Sequence, residues 1–189
     1  MLKKEQKYFS VKTFTKTLFD AAYMMAKYSK YLMKVDKVFR SNIMMAVTNV
    51  NGCRICTYYH TAELLKAGAN EEELKAILDD DYKKLDSHQN IALVFAQHYA
   101  DTSGHYEKEA YQRVKDYYGN EMALGILASI KVIMFGNMNG ISLGNLWDRI
   151  HFRKVSNAKF LTDLYNGIVA YPIMIVFIII NLFRKRILY

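Results

Sequence analysis

The chain has 189 residues, 52% of them hydrophobic, with 9 Gly and a single Pro. That length bounds it to one compact domain with terminal extensions, and the composition excludes a largely disordered or collagen-like chain. The formal net charge of +8 is spread in clusters no longer than Arg184-Lys185-Arg186, and no nucleic-acid-binding motif accompanies it, so nucleic acid is not an expected partner.

Taken in order, Met1 to Ser10 is basic, but Lys12, Lys16 and Asp20 interrupt the next stretch, so the apolar core of a signal peptide is lacking and a reducing cytoplasm is the expected compartment. Residues 10–34 carry apolar side chains at Val11, Phe14, Leu18, Ala21, Ala22, Met25, Tyr28 and Leu32, the three-and-four spacing of an amphipathic helix. A second helix is predicted over 36–50, with Asn51-Gly52 as its stop, and a third over 53–67, closed by Gly68. Asn70 and Glu73 have capping-box spacing ahead of a short acidic helix over 71–80. Ser87 is a candidate cap for a helix over 88–100. The helical pattern returns over 106–118, stops at Gly119-Asn120, and gives way over 121–135 to a segment apolar on nearly every side, the expected centre of a bundle. No stretch alternates with a period of two, so the expected fold is all-α.

Residues 164–183 contain no charge, which at 1.5 Å per residue is long enough to cross the roughly 30 Å of bilayer hydrocarbon. Arg149, Arg153, Lys154 and Lys159 precede this segment and Arg184-Lys185-Arg186 come after it, so the distribution of positive charge assigns no orientation. A membrane-associated tail and a tail packed against the bundle or between subunits both fit. The expected organisation is an N-terminal helical extension over 1–35, a helical domain over 36–150 and a hydrophobic tail over 151–189.

The chemistry concentrates in Asn51-Gly52-Cys53-Arg54-Ile55-Cys56-Thr57-Tyr58-Tyr59-His60, which holds both cysteines. On a helix, Cys53, Cys56 and His60 fall within a sector of roughly 60°. A thiolate is favoured in a helix's first turn by unsatisfied amides and the positive end of the dipole, and His60 lies one turn along to accept or return a proton. Such a pair suits a two-cysteine peroxide cycle through a sulfenic acid and a disulfide. Haem attachment would need a histidine where Thr57 stands, and a thioredoxin-like site would need a strand where 43–50 reads as helix. A Cys2His zinc site, with a fourth ligand from His88, His98 or His105, stays open, as does a purely structural role for the three residues.

The run from Arg40 to Thr61 resembles the signature of the AhpD-like alkylhydroperoxidases of the carboxymuconolactone decarboxylase superfamily. Ala67 to Leu74 is similar to the family's turn into its next helix, and the likeness extends over roughly residues 36–145. It implies an all-α, AhpD-like helical bundle that forms a homo-oligomer, commonly a trimer or a multiple of one. It also implies an organic hydroperoxide as substrate, a dithiol protein as reductant and no bound cofactor or metal. In the roles it implies, Cys56 meets the peroxide, Cys53 resolves it and His60 relays protons. The family's relay also uses a glutamate just after the arginine, and here that position is Ser41, which cannot act as a carboxylate base. A water-bridged relay through Ser41 and His60 is one expectation, and a redox-sensing or binding module without turnover is the alternative. Decarboxylase chemistry, the superfamily's other activity, generally does not rely on a Cys-x-x-Cys pair. Arg40 is a candidate to hold an anion or thiolate, and Glu63, about 10 Å along the axis from Cys56, reads as a solvated helix residue.

Overall fold

The computed structural model describes residues 5–85, 87–155 and 158–183, and within these every regular element is helical. The elements are α1 (Val11–Leu32), α2 (Lys37–Asn51), α3 (Arg54–Lys66), α4 (Glu71–Leu78), a 3-10 turn (Tyr82–Lys84), α5 (Ser87–Asp101), α6 (Lys108–Ile150), α7 (Phe160–Leu164), a π-helical stretch (Tyr165–Val169) and α8 (Ala170–Phe183). The expected all-α bundle is present, with an amphipathic first helix and a strongly apolar last one. The basic runs Lys3-Lys4 and Arg184-Lys185-Arg186 lie outside the described residues.

Helix boundaries track local chemistry closely. Ser10 caps α1 by accepting the Thr13 amide, and the Asp36 carboxylate caps α2 by accepting the amides of Val38 and Phe39. Gly52 ends α2 in the left-handed region at φ 70°, as its Asn-Gly stop predicts. Asn70 caps α4 through the Glu72 amide at 2.8 Å, so its side chain serves one residue earlier than capping-box spacing suggests.

Helix α6 is the axis of the molecule, and α1, α2, α3, α5 and α7 all pack on it. It contains the predicted break, since Gly119 sits at φ 76° and ψ 163° between two helical segments. Its second segment runs to Ile150, well past the expected end near residue 135. The extension, Gly136-Asn137-Met138-Asn139-Gly140-Ile141-Ser142-Leu143-Gly144-Asn145, is rich in residues of low helix propensity. Tertiary partners outweigh that preference, because nearly every residue of it is occupied by a neighbour. Thr48 of α2 donates to Asn137 at 3.0 Å, and Asn139 donates to the carbonyls of Asn166 and Gly167 at 2.7 and 3.2 Å.

Gly125, earlier on α6, lets α1 and α6 cross closely, because a Cβ there would lie 2.4 Å from the Tyr31 carbonyl oxygen. Phe14 of α1 meets Phe135 at a centroid separation of 5.5 Å. These contacts join α1, α2, α5 and α6 into one core around Leu18, Ile43, Leu93, Ile126 and Ile130, all fully buried.

Candidate functional site

The site begins at the corner between α2 and α3. Asn51 and Gly52 make the corner, and residues 5–7 cross it: Lys7 donates its amide to the Asn51 carbonyl at 3.1 Å, and a Cβ on Gly52 would lie 2.7 Å from the Glu5 carbonyl oxygen. Glycine is therefore required here twice, for its positive φ and for the close passage of another backbone. The Asn51 side chain is buried and donates to the Met134 sulfur at 3.2 Å, which ties the corner to α6.

Cys53 is the N-cap of α3, its sulfur accepting the Cys56 amide at 3.3 Å. Cys53 and Cys56 are joined as a disulfide. The two sulfurs differ in environment: Cys53 is fully buried, whereas Cys56 is partly exposed. Both press on α6 at Gly140, where a Cβ would stand 2.9 Å from each sulfur, and Cys56 Sγ lies 3.8 Å from the Gly136 carbonyl oxygen. Gly144 continues the same face under Ile55 and Arg54. Gly140 and Gly144, one turn apart, thus form a groove that lets the first turn of α3 sit against the α6 backbone.

Arg54 fastens the other side of that turn. Its guanidinium pairs with Asp148 near the end of α6, and Arg153 approaches the same carboxylate at 3.6 Å. Hydrogen bonding from Arg54 holds the Asp148 carboxyl below the usual carboxylate range, with the charges of Arg54 and Arg153 adding to it. Substituting Gly140 or Asp148 would therefore disturb the first turn of α3 without replacing a cysteine. Neither residue was among the candidates read from the sequence, although the four-residue glycine spacing was a legible signal.

His60 lies one turn beyond Cys56 on α3 and is buried, with its ring edge against Tyr59 at 5.3 Å. Burial pushes its pKa below the ordinary 6.5, and the nearby charge of Glu63 opposes that shift. Glu63 is itself held, its carboxylate 3.4 Å from the Lys37 ammonium of α2, so it is not a freely solvated residue. Ser41 is half-buried on α2, one turn after Lys37. Among the described residues no hydrogen bond joins Ser41 to Cys53, Cys56 or His60. Arg40 points elsewhere, donating to the Leu32 carbonyl at 3.0 Å and bracing the link between α1 and α2.

The three histidines weighed as further metal ligands have other neighbours. His88 sits among Phe39, Tyr117 and Tyr118, His98 lies 3.0 Å from the Glu107 carboxylate, and His105 packs on the Thr102 carbonyl. Among the described residues no group of three or more His, Cys, Asp or Glu is placed to hold a metal ion. A groove of about 710 Å³ between α5 and the first segment of α6, lined by Ile91, Val94, Phe95, His98, Arg113 and Tyr117, includes neither cysteine.

The fold and the site define an all-helical protein with a disulfide-forming Cys-x-x-Cys pair at a helix N-terminus. Residues 19–82 match the Carboxymuconolactone decarboxylase family, the superfamily of the AhpD-like proteins, and the resemblance carried by Arg40 to Thr61 falls inside that match. The chain is also similar to the Uncharacterized protein YdfG of Bacillus subtilis (strain 168), at 25% identity over 130 residues, covering 64% of this chain and 83% of the relative. No solved structure matches the chain.

Proposed function

We propose that the protein is a thiol peroxidase of the AhpD-like type, cycling between a Cys53/Cys56 dithiol and its disulfide. The observation that carries this reading is the unequal burial of the two bonded cysteines. A peroxide can reach Cys56 while Cys53 waits underneath, the same division of roles that the family resemblance implies.

In the reduced protein, neutral His60 accepts the Cys56 thiol proton, a role suited to a group whose pKa is held low by burial. The Cys56 thiolate attacks the terminal oxygen of an organic hydroperoxide; an S–O bond forms, the O–O bond breaks, and the departing alkoxide takes the proton from His60 to leave as an alcohol. Cys53 then attacks the sulfenic sulfur, forming the S–S bond and expelling hydroxide, which is protonated to water. An external dithiol protein reduces the disulfide and restores both thiols. No bound cofactor or metal takes part in this cycle.

Glu63 supports His60 in this reading. With Ser41 on α2 in place of a carboxylate, Glu63 is the acidic group whose field reaches the imidazole, and Lys37 fixes its position. The cycle is proposed for a cytoplasmic homo-oligomer, a trimer or a multiple of one, whose contacts would cover the exposed Ile55, Tyr58 and Tyr59 beside the site.

Consumption of cumene hydroperoxide by the reduced full-length protein, with dithiothreitol as reductant, tests the proposal. Wild type should turn over and Cys56→Ser should be inert, while Cys53→Ser, reduced and then freed of dithiothreitol, should consume one equivalent and stop with Cys56 left as a sulfenic acid. Equal inertness of all three proteins sinks the peroxidase reading. A second reading, a redox sensor without turnover, draws on Ser41, which offers His60 no carboxylate from α2. It requires a reversible disulfide under mild oxidation with no multiple turnover, and full reduction that no mild oxidant reverses would exclude both readings.

A further inference from the structure

Among the described residues two helices are long and apolar enough to cross a membrane, and they differ in how they are used. The apolar window of Lys108–Ile150 is 72% buried, which marks a core helix, whereas that of Phe160–Phe183 is only 22% buried. The second is nevertheless not free to span. Its first half is tied to the protein by Arg149 to Asp163 at 3.0 Å, Asn145 to Asp163 at 3.1 Å, Asn139 to the Asn166 and Gly167 carbonyls, and Asn166 to the Phe9 carbonyl at 3.3 Å. Only α8 extends beyond these ties. Its 14 residues measure about 21 Å, short of the roughly 30 Å of a hydrocarbon core.

One side of α8 lies along α1, with Phe177 against Phe19 at 4.6 Å, and Ile175, Val176, Ile179 and Ile180 are exposed on the rest of the helix. A shallow apolar groove lined by Phe19, Pro172, Ile173, Val176, Phe177 and Ile180 joins the two helices. The exposed stripe of α1 continues that surface with a different chemistry. Lys12, Lys16, Phe19, Tyr23 and Lys30 fall within a sector of about 60°, all exposed. Among the described residues no carboxylate forms an ion pair with Lys12 or Lys16. Asp20, the only acid of α1, lies 3.8 Å from the Lys131 ammonium.

We infer that α1 and α8 together form an in-plane anchor for an anionic lipid surface, α8 entering the acyl boundary and the α1 lysines meeting the headgroups. The pairing of an uncharged aliphatic helix with a stripe of lysines and aromatics is the division that an interface demands: apolar area buried shallowly, ammonium groups and a tyrosine at headgroup level. A second copy of this chain fits the face less well. A symmetric dimer there pairs α1 and α8 with their own copies, and these helices carry no acid but Asp20, already beside Lys131, to meet Lys12 and Lys16.

Flotation of the full-length protein with vesicles of phosphatidylcholine alone, and of phosphatidylcholine mixed with phosphatidylglycerol, tests the anchor. Binding should be strong to the mixed vesicles, weak to the neutral ones, and reduced by added salt. The double variant Lys12→Gln/Lys16→Gln should lower partitioning onto mixed vesicles by about thirty-fold, as expected for two lost charges near the surface. Val176→Asp/Ile179→Asp should abolish it; both positions are exposed, and an unchanged near-ultraviolet circular dichroism spectrum will certify the fold. Equal binding to both vesicle types, indifference to the lysine pair, or recovery of the protein only in the soluble fraction would each overturn the anchor. A soluble dimer that dissociates in the Val176→Asp/Ile179→Asp variant would assign the face to a second copy instead. Carbonate-resistant protein whose C-terminus is shielded across sealed vesicles would overturn the in-plane placement in favour of spanning.

Discussion

The first turn of α3 and the segment from α7 into α8 both dock on the second half of α6, and they do so by contrasting means. At the α3 turn, α6 offers the absence of side chains: Gly140 brings two sulfurs against bare backbone, and Gly144 leaves room for Ile55 and Arg54. At the C-terminal segment α6 mostly offers amides, with Asn139 and Asn145 satisfying carbonyls and a carboxylate. The difference arises from the groups each region must bury. The disulfide is small and only weakly polar, so close contact suffices, whereas a π-helical stretch leaves backbone groups that need partners. Adjacent residues of one helix, Asn139 and Gly140, therefore serve unrelated ends.

Substitution of those neighbours separates the two regions most sharply. Gly140→Ala should cost about a hundred-fold in peroxide turnover, because a Cβ forces both sulfurs to move and a displacement of roughly 1 Å at reacting atoms has that scale. Its effect on stability should be smaller, about 1–3 kcal/mol. Asn139→Ala should do the reverse. It strips partners from the Asn166 and Gly167 carbonyls and from the Tyr171 hydroxyl, which donates to Asn139 at 2.6 Å. A loss of about 3 kcal/mol is expected, lowering the melting temperature by about 10 °C, with turnover retained below the new midpoint. If Asn139→Ala removed turnover as fully as Gly140→Ala, the two docking regions would not be independent.

Two smaller effects sharpen the α3 side. Glu63→Gln removes the charge that partly offsets burial at His60, so the His60 pKa should fall further and the acid limb of the turnover profile should move to lower pH. An unchanged profile with unchanged His60 chemical shifts would remove Glu63 from the relay. The smallest effect is a tilt of stability with pH. Burial holds folded His60 below 6.5, so as pH falls through that value the unfolded chain takes up the proton first. Stability should decline over that window, level off once folded His60 is also protonated, and lose this component in His60→Gln, as read from denaturant midpoints.

Much of the molecule was legible in the sequence wherever the signal is local. Helix periodicity, the helix starts near Ser10 and Asp36, the Asn51-Gly52 stop, the break at Gly119 and the Cys-x-x-Cys spacing are properties of a few consecutive residues, and each has its counterpart in the structure. Cys53, Cys56 and His60 were visible for the same reason. The extension of α6 to Ile150 was not, since its asparagines and glycines argue against a helix until their partners are known. Glu63 reads as solvated in the sequence because Lys37, its partner, lies on another helix 26 positions earlier.

The amino-acid sequence by itself determined the helices, the Cys-x-x-Cys pair and the likeness to a family, because periodicity, capping and motif spacing are encoded within single segments. Only the tertiary structure decided which cysteine is covered, that Gly140 is its floor, that Lys37 of α2 holds Glu63, and that the start of the apolar tail is hydrogen-bonded to α6. Each of those outcomes depends on a contact between residues distant in the chain. No periodicity within one helix can specify what another helix brings against it.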